Sequence, residues 1–427
     1  MRRIQAGSAL SAFGLGFTVP FLYIYVAKTR DLGATTAGAV LAVFAMAALV
    51  ALPITGRAID RRGPRPVVVA ASLVASVGAV ALGVSTNWVT VVVSAAVLGA
   101  GTAVIQPALA TMLVRASEPS ERTRVFALQF FLQNMGLGLG GLIGAQIVDS
   151  KRGETFTLLF SIEAVMFLVL AAIALSVRLP EPEAVPGTPG ASAPGNQKLG
   201  MRALLGHKAM VSLCVLGFIL FFACYGQFES GLSAYGTEAA GIEPSTFGTA
   251  LAANTAVIVL AQFLVLRFVE HRKRTRVIGA VGLIWAVAWM FAGYAGLGAS
   301  SQAMATAAFI TTYALFGLGE ALLAPTVAPL VVDLAPKSMV GQYNSAFALV
   351  KQLALALGPA VGGVMGAKLH APYIVTFVLF SLAITALAVK LGRQLTPVQN
   401  QPSLGAVSRV VAQHNPAERA RKVETAA

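Results

Sequence analysis

Long apolar stretches alternate with short polar turns along almost the whole chain. Twelve such stretches cover residues 4–27, 36–56, 67–84, 88–114, 125–148, 155–177, 209–233, 245–266, 277–297, 303–332, 343–367 and 373–391. A helix needs about 20 apolar residues to cross a bilayer, so the pattern predicts twelve membrane-spanning helices. Pro20, Pro53, Pro107, Pro325, Pro329 and Pro359 fall inside them. Membrane helices tolerate proline because neighbouring groups take up the freed carbonyls. Arg2 and Arg3 precede the first stretch. That stretch is longer than the apolar segment of a signal peptide, about 7–15 residues, and no convincing small-residue cleavage site follows it. It reads as an uncleaved first helix.

One long interruption divides the pattern. Residues 178–208 contain EPEAVPGTPGASAPGNQ, a composition expected of a flexible linker. The chain is thus expected to form an N-terminal six-helix half (1–177), a linker (178–208), a C-terminal six-helix half (209–391) and a basic, disordered tail (392–427). The halves resemble each other. At an offset of 218, residues 99–144 align with 317–362 without a gap, pairing Gly99 with Gly317, Pro107 with Pro325, Gly140 with Gly358 and Gly144 with Gly362. Earlier spans align at an offset of 210, pairing Tyr25 with Tyr235, Gly38 with Gly248 and Arg57 with Arg267. The second half therefore carries eight extra residues between its third and fourth spans. Six crossings return the chain to its starting side, so both halves have the same orientation, as in parallel-repeat transporters.

Composition agrees with this reading. Hydrophobic residues make up 57% of the 427 and charged residues 11%, against about 45–50% and about 25% in soluble domains. Mean hydropathy is +0.77. The net charge of +14 would suggest nucleic acid in a soluble protein, but its placement explains it otherwise. With the N-terminus inside, 25 of the 31 lysines and arginines fall on inner segments and five on outer loops, while Lys351 lies within a span. This asymmetry predicts a multi-pass protein of the cell (inner) membrane with both termini cytoplasmic and with basic loops facing anionic lipids. Cys214 and Cys224 are ten residues apart on one expected helix. That is about 15 Å, too far for a disulfide.

The loop after the second stretch reads Gly56-Arg57-Ala58-Ile59-Asp60-Arg61-Arg62-Gly63-Pro64-Arg65. It resembles the G-x-x-x-D-R-x-G-x-R signature of the major facilitator superfamily, at the position that family requires. The resemblance, with the twelve spans, linker and repeat, covers nearly the whole chain. It implies the major facilitator fold: an all-α integral membrane protein of two pseudo-symmetric six-helix bundles. It also implies a conformational latch made by Gly56, Asp60, Arg61, Gly63 and Arg65, with Asp60 at the N-terminal end of span 11 near Tyr343. Arg61 and Arg65 could pair with Asp60 or with lipid phosphates. The equivalent second-half loop, Arg267 to Arg276, reads as a basic membrane anchor.

Drug–proton antiporters of this family carry G-P-x-x-G-G in span 5. Here span 5 has Gly136, Gly138, Gly140, Gly141 and Gly144 with Gly141 in place of the proline, and the fuller form, Gly358-Pro359-Ala360-Val361-Gly362-Gly363, lies in span 11. Gly140, Gly144, Gly358, Pro359 and Gly362 are expected at close helix contacts. The arginine that such antiporters carry in span 4 is replaced by Ala95, and the accompanying glutamine by Leu98. Coupling through that arginine is excluded.

Glu163, Glu229, Glu320 and Lys351 lie within spans, where charge is costly and usually faces a cavity or a partner. The resemblance puts spans 1, 4, 7 and 10 around a central cavity, so Glu229 and Glu320 are the proton-coupling candidates. Glu229 is the better carrier if Lys351 keeps Glu320 ionised. Glu163, on an outer helix, is expected to be structural. Phe17, Tyr25, Gln106, Asn134, Phe221, Tyr225, Gln227, Asn254 and Lys351 are the cavity candidates. An aromatic cavity suits bulky amphipathic compounds. The expected function is proton-coupled efflux of hydrophobic or amphipathic small molecules by a multidrug-type antiporter working by alternating access, functional as a monomer. The alternative is carriage of a polar metabolite, a sugar or an organic anion, with Lys351 binding the anion. Neither a metal nor a cofactor is expected. The four histidines are scattered and no G-x-x-x-x-G-K-[ST] loop occurs, so a membrane enzyme is disfavoured.

Overall fold

The computed structural model describes residues 1–18, 21–149, 151–179, 204–228, 230–299 and 301–404. Among them every regular element is a helix. Twelve helices are long and apolar enough to cross a membrane: spans 1 to 12 are Arg2–Thr29, Thr36–Arg62, Pro64–Val84, Trp88–Arg115, Arg122–Ile147, Gly153–Ser176, Lys208–Phe228, Thr246–Val269, Arg274–Leu297, Gln302–Leu334, Lys337–Lys368 and His370–Gly392. The protein is thus a multi-pass membrane protein built as two six-helix bundles. We call the end of the molecule that carries Met1 and the Gly63 loop the motif face, and the opposite end the far face.

Two of the expected continuous helices are broken, and span 1 changes its winding. Span 1 is helical over Arg2–Thr18, then over Leu22–Ile24, and continues as a π-helical turn over Tyr25–Thr29. Span 7 breaks at Cys224, whose ψ is −80°, resumes as a short helix over Tyr225–Phe228, and is followed beyond Ser230 by a helix over Gly231–Glu238. Span 10 stops at Leu323 and restarts at Val327. Pro325 lies in that gap, where it lacks an N–H and would crowd the preceding turn. Pro53, Pro107 and Pro359 sit inside unbroken helices. The carbonyls freed in span 7 are taken by side chains. Gln227 Nε2 donates to the Phe222 carbonyl at 2.9 Å, Trp289 Nε1 to Ala223 at 3.2 Å, and the Tyr313 hydroxyl to Phe228 at 3.1 Å. Lipid offers no such partners, so these three side chains permit the break.

The internal repeat reappears in the packing at both offsets. A Cβ on Gly99 would strike the carbonyl of Phe44, and one on Gly317 that of Asn254. Gly99 and Gly317 differ by 218 and Phe44 and Asn254 by 210. Gly140 meets Gly16, and Gly358 meets Gly226. Gly144 meets Phe17, and Gly362 meets Gln227. The Tyr25 hydroxyl reaches the Gly83 carbonyl at 3.4 Å, and the Tyr235 hydroxyl reaches Gly293 at 3.3 Å. Each pair of contacts is one contact made twice. The small residues let span 5 lie against span 1 and span 11 against span 7 at backbone distance. Pro359 is exposed.

The bundles meet along spans 2, 4, 5, 8, 10 and 11. Ala48, Leu52 and Ala103 pack with Ala348 and Leu349. Val114 and Phe126 pack with Val332 near the motif face, and Phe131 lies 5.5 Å from Phe263.

The expected linker and tail are both more structured at their edges. Residues 204–206 form a helical turn with Leu204 buried, and His207 Nδ1 shares a 2.9 Å hydrogen bond with the Tyr343 hydroxyl. Beyond span 12, Thr396 and Gln399 form a capping box on a short helix, Pro397–Asn400. Asn400 accepts from the Thr275 amide at 3.0 Å, and Gln401 donates to His271 at 3.1 Å. These side-chain bonds order a polar segment that hydropathy reads as tail. Residues 180–203 and 405–427, which hold the rest of the expected linker and tail, lie outside the described residues.

Candidate functional site

At the motif face Asp60 joins the two bundles. The Gly341 amide donates to Oδ1 at 2.6 Å and the Gln342 amide to Oδ2 at 3.0 Å. These are first-turn amides of the span 11 helix Val340–Lys368, which have no partner within the helix. The carboxylate satisfies them and meets the positive end of the helix dipole. Gly56 permits the approach, since a Cβ there would lie 2.7 Å from the Gln342 Cα. Gly63 turns the chain with φ +83°, a conformation that glycine adopts without strain. Among the described residues neither motif arginine bonds Asp60. Arg61 is exposed, and Arg65 bonds the Leu175 carbonyl at the end of span 6. The charge acting on Asp60 is that of Arg115 on span 4, outside the loop motif.

The basic second-half loop is more than an anchor. Arg274, 1% exposed, donates to Asp333 Oδ2 at 2.7 Å, and Arg122 of the other bundle bonds Oδ1 of the same carboxylate. Asn344 of span 11 donates to Thr111 of span 4 at 3.2 Å.

Deeper in the C-terminal bundle lies a charged cluster. Glu320, 3% exposed, accepts from Asn254 Nδ2 at 2.8 Å and lies close to Tyr225. Asn254 Nδ2 also reaches the Tyr313 carbonyl at 3.2 Å. Lys351 lies two helical turns from Asn344 on the same face of span 11, the face turned to the other bundle. Its side chain is exposed. The ammonium stands 5.1 Å from the Phe221 ring centroid and 5.8 Å from that of Tyr225, within cation–π range. It acts on Glu320 through its charge without a direct ion pair. Among the described residues the ion pairs are Arg122–Asp333, Arg152–Glu154 and Arg274–Asp333. Phe221, Tyr225, Phe228 and Tyr313 continue as an aromatic chain, with successive centroids 5.4, 5.9 and 5.2 Å apart.

The N-terminal bundle faces this cluster with amides and hydroxyls. Gln133 Nε2 donates to Gln106 Oε1 at 3.0 Å and to Ser8 at 3.1 Å. Gln106 is exposed. Asn134 donates to Phe130 of its own helix at 2.9 Å. Three cavity candidates are packing residues instead. Phe17 is buried against Phe13 and Gly144. Tyr25 is buried between Phe156 and Phe160 with its hydroxyl on Leu82 at 2.7 Å. Gln227 is buried, accepting from Tyr373 at 3.1 Å. Glu229 lies outside the described residues. Glu163 is fully buried in the N-terminal bundle, bonded to Thr18 of span 1.

Two parallel six-helix bundles, broken inner helices and contacts between bundles concentrated at one face define a secondary-transporter architecture. Comparison with known proteins agrees. The family model described as Major Facilitator Superfamily matches residues 6–359 and 237–422, and the chain belongs to that superfamily of membrane transporters. It is similar to the MFS-type transporter YttB of Bacillus subtilis, 22% identical over 95% of this chain and 98% of that one. It is also similar to the multidrug resistance protein MdtH of Aeromonas hydrophila, 24% identical over 74% of this chain and 73% of the relative. Among solved structures it shares the fold of the human organic anion transporter MFSD10, with TM-score 0.74 and 16% identity over 91% and 98% of the two chains. The Escherichia coli fucose:proton symporter FucP gives TM-score 0.74 and 14% identity over 92% and 98%.

Proposed function

We propose that this protein is a proton-coupled exporter of hydrophobic or amphipathic small molecules, of multidrug type, working by alternating access. The motif face is cytoplasmic, as the bias of lysine and arginine toward it supports, and the protein resides in the cell membrane among anionic lipids. The two halves rock about a site between them, with Asp60 and the other motif residues as the latch that holds the cytoplasmic side shut. The similarity to MdtH supports the substrate class, as does the aromatic chain from Phe221 to Tyr313. The observation that carries the coupling is Glu320: a buried carboxylate on an inner, broken helix, held by Asn254, close to Tyr225 and under the charge of Lys351. Glu320 or Glu229 loads the proton outside and releases it inside. Each inward proton supplies about 2.3 kcal/mol per 100 mV of membrane potential, enough for one or two protons to drive substantial accumulation outside.

A panel of lipophilic dyes in proteoliposomes, with and without a proton gradient, tests the reading. Gradient-dependent accumulation of several unrelated dyes is expected, and Glu320→Gln should abolish it while permitting exchange. Dyes that move equally without a gradient would refute the coupling. A second reading, carriage of an organic anion, draws on the exposed ammonium of Lys351. Anionic dyes in the same panel decide between the two.

A further inference from the structure

Glu163 is a buried carboxyl that the proposed cycle does not use. It lies ten residues into span 6, about 15 Å from the far face, and is 0% exposed. The Thr18 hydroxyl of span 1 bonds Oε2, while Oε1 has no hydrogen-bond partner among the described residues. One turn before Thr18, Gly14 lies close to the same side chain: a Cβ there would sit 3.4 Å from Glu163 Cγ. The Thr18 carbonyl accepts from the Phe21 amide at 3.1 Å, and the span then passes into its π-helical turn over Tyr25–Thr29. A lone carboxyl, half-satisfied, thus touches the inner helix that opens the N-terminal bundle.

No counter-charge reaches it. Span 6 packs on spans 1 and 3 and touches span 5. Their ionisable side chains are Arg2, Arg3, Tyr23, Tyr25 and Lys28 on span 1, Arg65 on span 3, and Arg122 and Arg124 on span 5. Arg2, Arg3, Arg65, Arg122 and Arg124 lie at the motif face. Tyr23 and Lys28 are exposed. The Tyr25 hydroxyl is committed to Leu82 and Arg30. On span 6 itself, Glu154 is exposed and paired with Arg152. A bare carboxylate at this depth with no partner charge is costly, and a fully buried side chain leaves room for no larger counter-ion than a proton.

We propose that Glu163 is a second proton-binding site, in the N-terminal bundle, whose occupancy is passed to span 1 through Thr18. With the proton bound, the carboxyl stays buried and Thr18 is held against span 6. When the proton leaves to water, the carboxylate demands hydration, the Thr18 contact opens, and span 1 is free to shift against span 6. The proposal rests on the proton-coupled reading above, but its principal test does not require a known substrate.

The test is infrared difference spectroscopy on the full-length protein in lipid vesicles, following the carbonyl stretch of protonated carboxylic acids as pH is varied. The wild type should show a component that titrates between about pH 5 and pH 9, the range open to displaced carboxyls. Glu163→Gln should remove that component and Glu163→Asp should keep it, while Glu320→Gln should leave it in place. Thr18→Val should shift its midpoint. In proteoliposomes Glu163→Gln should slow gradient-driven dye efflux about ten-fold, roughly 1.4 kcal/mol in barrier, with dye exchange within about two-fold of wild type. A spectrum unchanged by Glu163→Gln overturns the proposal, as does a component that responds to sodium but not to pH. A Glu163→Gln protein with the wild-type pH profile of efflux also overturns it. If the wild type moves no dye with a proton gradient, the exporter reading fails, while the titrating band still reports on Glu163.

Discussion

Asp333, at the end of span 10, pairs with Arg122, at the start of span 5 in the other bundle. Its second oxygen holds Arg274, which also donates to the Gln399 carbonyl of the short C-terminal helix at 3.0 Å. In the internal repeat Asp333 is the counterpart of Arg115, whose charge acts on Asp60. The two halves therefore tie the motif face together with opposite signs. In one half an acid on the loop is flanked by a base from span 4. In the other, a base on the loop is neutralised by an acid from span 10.

This arrangement predicts an asymmetric mutational response. Asp333→Ala leaves Arg274 buried without a counter-charge, and breaking such a pair costs about 3–5 kcal/mol. The purified variant should melt several degrees lower than wild type. Adding Arg274→Met should recover part of that loss. Arg122→Ala should cost less, about 1 kcal/mol, because Arg122 is partly open to water. Equal losses from Arg122→Ala and Asp333→Ala in a thermal-shift assay would contradict the account.

Asp60→Asn keeps the shape of the latch but removes its charge and one acceptor. Hydrogen bonds to a charged group are worth about 1.5–3 kcal/mol net, so the motif face should open more readily. Expression should stay near normal while transport slows greatly. Gly341→Ala should give the same phenotype from the other side of the contact, since its Cβ would lie 2.7 Å from Asp60 Oδ1. Wild-type turnover in both purified variants would remove the latch from the mechanism.

The architecture was legible in the sequence because the bilayer leaves few solutions. Hydropathy marks the spans, and the offsets of 210 and 218 foretell which glycines meet which helices. Asp60 was legible because its loop motif names its target. The breaks were less so. Pro325 marks the one in span 10, but Cys224 carries no such signal, and that break depends on Trp289 and Tyr313 arriving from other spans to take its carbonyls. Tyr25 and Gln227 look like cavity residues in the sequence but are packing residues, partnered from other spans. Arg122, Arg274 and Asp333 come together from three helix ends. No spacing within any one segment announces that meeting, though the equivalence of Arg115 and Asp333 under the repeat could have raised it.

Close packing of the repeat predicts matched sensitivity in the two halves. Gly358 lies against the Gly226 backbone as Gly140 lies against Gly16. Valine at either glycine must force the helices apart, and overpacking typically costs about 1–3 kcal/mol. Gly358→Val and Gly140→Val should each lower thermal stability by a similar amount and impair dye exchange. Gly363→Val, at a position with open space around it, serves as the control. A Gly358→Val protein as stable as the control would show that span 11 does not depend on this approach.

The last prediction concerns how strongly Glu320 and Lys351 depend on each other. They share no direct ion pair, so their coupling acts through space, past Tyr225, whose ring centroid lies 5.8 Å from the Lys351 ammonium. Lys351→Met leaves the buried Glu320 without its nearby positive charge. Glu320→Gln relieves that, because glutamine can still accept from Asn254 and carries no charge. The double variant should therefore be more stable than Lys351→Met alone. Residues coupled in this way give interaction energies of about 0.5–3 kcal/mol, and the absence of a direct contact places this one toward the lower end. The four proteins of the cycle should be compared by thermal unfolding in one detergent. Strictly additive losses would mean that Lys351 serves the open cavity alone, leaving Asn254 to hold Glu320. Loss of gradient-driven efflux in Glu320→Gln would then have to be explained without Lys351.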